Sequence, residues 1–229
     1  PVDSVTSRTD SVNASADTTE QGVDISRLGL VLSGTAVALG VGYAVQDNLW
    51  WKGERVPFWV TTDQDYRYAL NADKVGHMQF GYMSTTIYGE LFRWTGMDSA
   101  SAIWAAAGLS LANQTFTEIR DGYSRGYGFS WGDMAGNAIG AGLPVLKHYL
   151  PVLRPIEIQI SFWPSQDYRD GKYNSIIDDY SSTYYWAAFS IYDWLPGAWQ
   201  QWYPPWLGVS LGYSVENLDR RGGGNHALY

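Results

Sequence analysis

The chain has 229 residues, no cysteine and a net charge of −8. These features exclude structural disulfides and thiolate chemistry, and they argue against nucleic acid as a partner, because phosphate backbones are held by basic patches. Charged residues make up only 17% and aromatics 16%, with Trp 12 and Tyr 17, so the freely solvated surface is small and the aromatic excess needs a place. The length suits one medium domain, or one core domain with an appendage.

Residues 1–24 are rich in Ser, Thr, Asp and Ala and nearly lack large apolar groups. Such a stretch cannot bury enough surface to offset its ordering entropy, so it reads as a disordered tether. The opening Pro1-Val2-Asp3, without an initiator Met, reads as the sequel of a removed leader of signal-peptide type. Residues 28–45 carry no charge, about the shortest run able to span a bilayer. Gly34, Ala38 and Gly42 recur at every fourth position, the spacing at which two helices approach closely. Trp50, Trp51, Phe58 and Trp59 follow as an interfacial belt would. The segment is either a bilayer-embedded or interfacial helix, or a buried helix of a soluble bundle.

Residues 57–70 read as a loop leading to a helix with Asn71 as N-cap, running to about Trp94. Residues 100–116 are apolar nearly all round, which places that helix centrally or against lipid. After a connection rich in Gly and Tyr, Ser130 caps a further helix with Asp133 near its positive end, and Pro144 and Pro151 mark its close.

Beyond Pro155 the period becomes two: Ile156, Ile158, Ile160 and Phe162 alternate with polar residues, and residues 184–192 and 207–215 alternate likewise. Three or four strands make a small antiparallel sheet, too few for a membrane barrel from one chain. Trp194, Trp199, Trp202 and Trp206 form an aromatic cluster that reads, with Trp50, Trp51 and Trp59, as a membrane or partner surface, or else as a small aromatic core. Residues 219–229, with Gly222-Gly223-Gly224, read as a flexible tail. The expected class is α+β: a membrane-associated bundle of about four apolar helices over residues 25–153, followed by a small antiparallel β-sheet over residues 154–218.

Asp73 and His77 lie four apart on one helix, Glu118 and Asp121 three apart at the end of a second, and Asp133 and Asn137 four apart on a third. Burying such groups is expensive unless they meet one another, a metal or a ligand. The candidate ligand or polar site is therefore Asp73, Lys74, His77, Tyr82, Glu118, Asp121, Asp133 and Asn137. As metal ligands, Asp73, His77, Glu118, Asp121 and Asp133 would favour Mg²⁺, Mn²⁺ or Ca²⁺ over tetrahedral zinc, since one imidazole stands among several carboxylates. His77 and Asp73 are the candidate catalytic pair, with His77 as base or ligand. A third reading needs no ligand: a hydrogen-bonded network, neutralised by Lys74 or Arg120, that sets helix register. No Gly-x-Ser-x-Gly elbow is present, which argues against a serine hydrolase.

Several stretches together carry a family resemblance: Asp73-Lys74-Val75-Gly76-His77 with Tyr82, then Thr117-Glu118-Ile119-Arg120-Asp121-Gly122-Tyr123-Ser124, then Gly126-Tyr127-Gly128-Phe129-Ser130-Trp131-Gly132-Asp133 with Gly140, and the Trp50-Trp51 segment. In this order they resemble the YfiM-like predicted periplasmic or outer-membrane lipoproteins, a domain of unknown function. Asp179-Tyr180, Tyr185-Trp186, Trp206-Leu207 and Leu211-Gly212-Tyr213 resemble the C-terminal part of longer members from Bacteroidetes-type envelopes. The likeness covers residues 28–218, while the Asp-Lys-x-x-His opening alone is shared with VanZ-like membrane proteins. It implies a Gram-negative envelope location and assigns no catalytic residue. The lipid-bearing Cys of a lipoprotein is absent from the sequence.

The expected role is non-catalytic: an outer-membrane or periplasmic protein that binds membrane lipid or another outer-membrane protein, with a buried Asp/His/Glu site. Two alternatives stand beside it, a metal-assisted hydrolase of a lipid or glycolipid phosphate and an accessory subunit of a larger outer-membrane complex.

Overall fold

A computed structural model describes residues 22–62, 65–218 and 224–228. The stretch read as a tether lies outside the described residues up to residue 21. Helix α1, Ile25–Leu49, starts at Asp24, whose carboxylate accepts from the N–H groups of Ser26 (2.9 Å) and Arg27 (3.1 Å). Most of α1 is exposed. Gly34 and Gly42, expected to seat against another helix, have nothing within 4 Å. The helix is held instead by Val31 against Phe92, Ala102 and Ala106, and by the Tyr43 hydroxyl donating to Asn113 at 2.6 Å.

Helix α2, Ala72–Trp94, follows a 3-10 turn at Tyr68–Asn71 in which Ala69, Leu70 and Asn71 all have positive φ. Asn71 stands at the cap position but its side chain accepts nothing, contrary to expectation. Its left-handed backbone (φ 68°) replaces the extended conformation that aims a cap side chain at the first turn. Helix α3, Ser99–Gly122, runs past Phe116, so Glu118 and Asp121 lie within it. Helix α4, Trp131–Tyr149, begins as expected, with Ser130 Oγ accepting from the Asp133 N–H at 2.9 Å. Pro144 lies inside α4 rather than at its end. A proline deletes one hydrogen bond, and the buried face that continues through Val145 carries the helix past it.

Helices α2, α3 and α4 pack through small and polar side chains. Their buried positions include Gly76, Gly81, Thr85 and Gly89 on α2, Ala102, Ala106, Ser110 and Gln114 on α3, and Gly132, Gly136, Asn137 and Gly140 on α4. The closest approach is between α2 and α4. A Cβ on Gly136 would stand 2.6 Å from the Lys74 carbonyl, and one on Gly140 would run into the Met78 carbonyl.

The sheet has the antiparallel order β1 (Ile156–Phe162), β2 (Thr183–Phe189), β3 (Val209–Glu216) and β4 (Asn225–Leu228). Ile158 faces Ala187, which faces Leu211, and Tyr213 faces Leu228. Strand β4 departs from the expected flexible tail: it finds its ladder on the free edge of β3, while residues 219–223 lie outside the described residues. The alternation in residues 184–192 ends at Phe189, because Ile191–Trp194 winds into a helical turn. Tyr185 and Val215 pack on Ala69 and Ala72 at the start of α2, and Lys147 on α4 donates to the Ile156 carbonyl at 2.6 Å, covering the outer edge of β1. The architecture is α+β, with α2 sandwiched between two helices and the sheet.

Gly140→Ala is expected to destabilise the fold by about 1–3 kcal/mol, because α2 and α4 must separate. Gly108→Ala, with open space where its Cβ would go, is expected to gain up to about 1 kcal/mol. Denaturation followed by circular dichroism reads both, and equal changes would refute the close α2–α4 contact.

Candidate polar site at the α2–α3–α4 end

The loop before α2 laces over the α3–α4 connection: Trp59 N–H donates to the Gly122 carbonyl (2.9 Å), Phe129 N–H to the Trp59 carbonyl (3.0 Å), and Thr61 N–H to the Phe129 carbonyl (2.8 Å). This lacing delivers Asp65 to the start of α4. Asp65 accepts from Ser130 Oγ (2.6 Å) and from the Gly132 N–H (3.1 Å), a carboxylate on the positive end of a helix. Sequence reasoning missed Asp65, which lies in a loop without periodicity.

Lys74 is the centre of the site. Its ammonium lies 2.9 Å from Asp65, 3.1 Å from Asp133 and 3.6 Å from Asp73, so three carboxylates from a loop and two helices surround one cation. Of the two neutralising groups expected, Lys74 performs this role and Arg120 does not, since Arg120 pairs with Asp47 on α1. His77 sits one turn along α2. Its Nδ1 is 3.0 Å from Asn137 Oδ1 and 3.5 Å from Glu118 Oε1, and its Nε2 is 3.8 Å from Asp73 and 4.0 Å from Asp133. The three helices thus bring Asp73, Lys74, His77, Glu118, Asp133 and Asn137 together. Tyr180, after β1, completes the wall by donating to Asp73 at 2.6 Å, a second group that sequence reasoning did not find.

Asp121 lies at the edge of this group and accepts from the Trp51 indole at 2.6 Å. Trp51, expected on a membrane or partner surface, is buried by that contact. Tyr82, expected in the site, is elsewhere. Five residues beyond His77 it lies about 140° round the helix, and its hydroxyl joins Glu157 (2.5 Å) and Lys147 (2.9 Å) beside the sheet. Trp50 is half-buried and donates to Asp178, Trp59 is exposed, Trp194 donates to the Val152 carbonyl, and Trp199, Trp202 and Trp206 are exposed as expected.

Burial alone would raise the Asp65 carboxyl, but the Ser130 hydroxyl, Lys74 and the Gly132 N–H overcome it and hold the group below the usual carboxylate range. The Tyr68 phenol is pushed up to about 12 by burial and then by Asp73. Tyr180 is raised well above its ordinary value, first by burial and then by Asp73, so it remains a proton donor to that carboxylate.

Glu118 is 1% exposed and Asn137 0%, yet Glu118 Oε1 and Asn137 Nδ2 have no hydrogen-bond partner. Buried polar atoms without partners are costly, a cost that a water, an ion or a ligand group would relieve. Ligand atoms of Asp73, His77 and Asp133 all lie within 4.8 Å of one another, a set of one imidazole and two carboxylates suited to a hard divalent cation. Glu118 is close through His77, and Asp121 stands outside that triad.

Lys74→Met is expected to cost about 3–5 kcal/mol by leaving Asp65, Asp73 and Asp133 without their cation, read by chemical denaturation. The lowered Asp65 value gives a signed pH effect. Its stabilisation is complete above the unfolded carboxylate value of about 4 and is lost as pH falls through the lower folded value. Asp65→Asn should therefore flatten the acid limb of a stability–pH curve below about pH 4, and an unchanged limb would contradict the Asp65 contacts.

No curated protein and no solved structure matches the chain. A family model described as "Predicted periplasmic lipoprotein (DUF2279)" matches residues 61–149, the segment that holds Asp65, α2, α3 and α4. The match covers well under half of the chain and agrees with the likeness to YfiM-like predicted periplasmic lipoproteins read from the sequence, and with a location in the cell envelope at its periplasmic face.

Proposed function

We propose that the helical bundle is embedded in a membrane of the envelope and binds lipid there, with the Asp/His/Glu cluster as its polar site at one end. The observation that carries this reading is the inverted polarity of the bundle. Glycine, alanine, serine, threonine and carboxylates fill the helix contacts, while Leu30, Val37, Val41, Ile87, Trp104, Ile139 and Leu146 face outward. Water drives the opposite sorting, and lipid permits this one.

Three further features agree. Residues 28–46 of α1 and 99–117 of α3 are uncharged, each about 28 Å of helix, close to the hydrocarbon thickness of about 30 Å. Between His77 and Glu90 on α2, and between Asp133 and Lys147 on α4, there is also no charge, so ionic groups stand at the two ends. Exposed aromatics gather there as well: Trp94, Trp104 and Tyr149 at one end, Trp59, Tyr123, Tyr127 and Trp131 at the other. Among the described helices α1 alone is long and apolar enough to cross a bilayer unaided. The others would be carried by turning their polar groups toward one another. Lipid is favoured over a docked subunit because outward apolar groups occur on all four helices, whereas a subunit would gather them on one face.

A second reading, metal-assisted hydrolysis of a lipid phosphate, is supported by the Asp73/His77/Asp133 triad. It calls for one equivalent of Mg²⁺, Mn²⁺ or Ca²⁺ per chain by elemental analysis, lost in Asp133→Asn. Protein without stoichiometric metal would remove it and leave the lipid-binding reading standing.

The bilayer reading is tested by detergent phase separation of the full chain. It should enter the detergent-rich phase, and Ile139→Lys should lower insertion into vesicles by about 2.5–3.5 kcal/mol of transfer free energy. Recovery in the aqueous phase as a monomer, with Ile139→Lys merely more soluble, would overturn it.

A further inference from the structure

We infer that a pocket beside the polar site, between the α1–α2 loop and the end of α3, binds the phosphate of a phospholipid headgroup. The inference rests on the membrane reading above and names the lipid group that is held.

The pocket is lined by Trp51, Glu54, Arg55, Arg120, Tyr123 and Ser124, and its volume is about 240 Å³. A second cavity of about 560 Å³ shares Gly53, Glu54 and Ser124 with it and adds Trp50, Arg125 and Tyr127. The first is smaller than the roughly 300–1,000 Å³ of sites for drug-sized molecules, which suits a phosphate with its nearest carbons rather than a sugar chain. Its charge runs against that of the chain. Three guanidinium groups, Arg55, Arg120 and Arg125, meet one carboxylate, Glu54, in the walls of a protein of net charge −8.

Two of those arginines have donors to spare. Arg125 is paired with Glu54 at 2.9 Å. Arg120 gives one N–H to Asp47, and its plane lies over the Trp51 ring at 4.7 Å, which holds the guanidinium flat while its other N–H groups stay available. Arg55 is exposed and has no carboxylate partner among the described residues. Two guanidinium forks on one cavity match the paired oxygens of a phosphodiester, and a guanidinium grips such an anion in bidentate fashion.

The surroundings select a lipid as the source. Phe116 and Ile119 on α3, and Val45 and Leu49 on α1, are exposed within two turns of Arg120 and of the α1–α2 loop. Acyl chains would lie along that apolar face with the headgroup turned into the pocket. Tyr123 and Tyr127 flank it at the level where a membrane–water boundary collects aromatic rings.

The test uses the full chain in neutral maltoside micelles, titrated by calorimetry with dihexanoyl phosphatidylglycerol, with inorganic phosphate and with dihexanoylglycerol. The phosphatidylglycerol should bind, and Arg55→Gln should weaken it at least ten-fold, with Arg55→Lys intermediate because a point charge replaces a fork. Arg120→Gln should act in the same direction. Arg55 is exposed and not hydrogen-bonded to the core, so its variants keep the fold even where loss of the Arg120–Asp47 pair loosens α1. Inorganic phosphate binding as tightly as the lipid would overturn the lipid source. Equal binding of dihexanoylglycerol, or unchanged affinity in both arginine variants, would overturn the phosphate pocket. None of these outcomes touches the phase-separation result, so the pocket can fail while the membrane reading holds.

Discussion

A lysine ammonium withdrawn from water has to be surrounded by negative charge, and Lys74 meets this requirement by collecting Asp65, Asp73 and Asp133. These carboxylates come from the loop, from α2 and from α4, so pairing the charge also sets how those three pieces meet. The pairing has a steric condition. Gly132 lies against the Lys74 side chain and Gly136 against its carbonyl, so a side chain at 136 would push α4 away and one at 132 would displace the ammonium from its carboxylates. Electrostatics and packing therefore impose one geometry, and neither is satisfied without the other.

Much of this was open to inspection in the chain, and the failures have identifiable causes. The four-residue spacing of Asp73–His77 and Asp133–Asn137 puts each pair on one face, and an apolar neighbourhood makes an unpaired charge untenable, so their meeting could be anticipated. Tyr82 follows His77 closely in sequence but lies about 140° round α2, so nearness along the chain does not carry it into the site. Asp65 and Tyr180 arrive from a loop and from beyond β1, over separations that periodicity does not encode. Small residues recur at every fourth position on α1 and on α4, as they do on α2 and α3, and pattern alone cannot say which stripe has a partner. The α4 stripe is partnered, and it also carries polar groups needing burial, Asp133 and Asn137 between Gly132 and Gly140. The α1 stripe has no such need and faces open space.

The sheet completes α2. With α3 and α4 on two sides, the third side of α2 begins with Ala72 and Gly76, too small to fill a gap, and Tyr185 and Val215 occupy it. Tyr180 reaches Asp73 from the same direction. The edge of β1 gains a donor from Lys147, which also balances Glu157 at 2.6 Å. The sheet thus acts as the third wall around α2, and its inner strand β3 leaves Val209 and Leu211 facing outward as the helices do.

Helix polarity explains why the ionic groups collect at one end. α2 and α4 both present their N-termini there, and three of the carboxylates, Asp65, Asp73 and Asp133, lie at those positive ends. α3 presents its C-terminus, where carboxylates receive no such help. The two on α3 are accommodated by other means: Asp121 takes a proton-donating indole from Trp51, and Glu118 takes the Ser130 N–H at 3.3 Å. The cation of that turn, Arg120, suits the negative end of α3 and pairs with Asp47, its guanidinium lying over the Trp51 ring. Trp51 therefore stands between the two, with the Asp121 carboxylate at its N–H edge and the Arg120 guanidinium on its face. A single surface region can then hold an acidic site and a basic pocket side by side without the two neutralising each other.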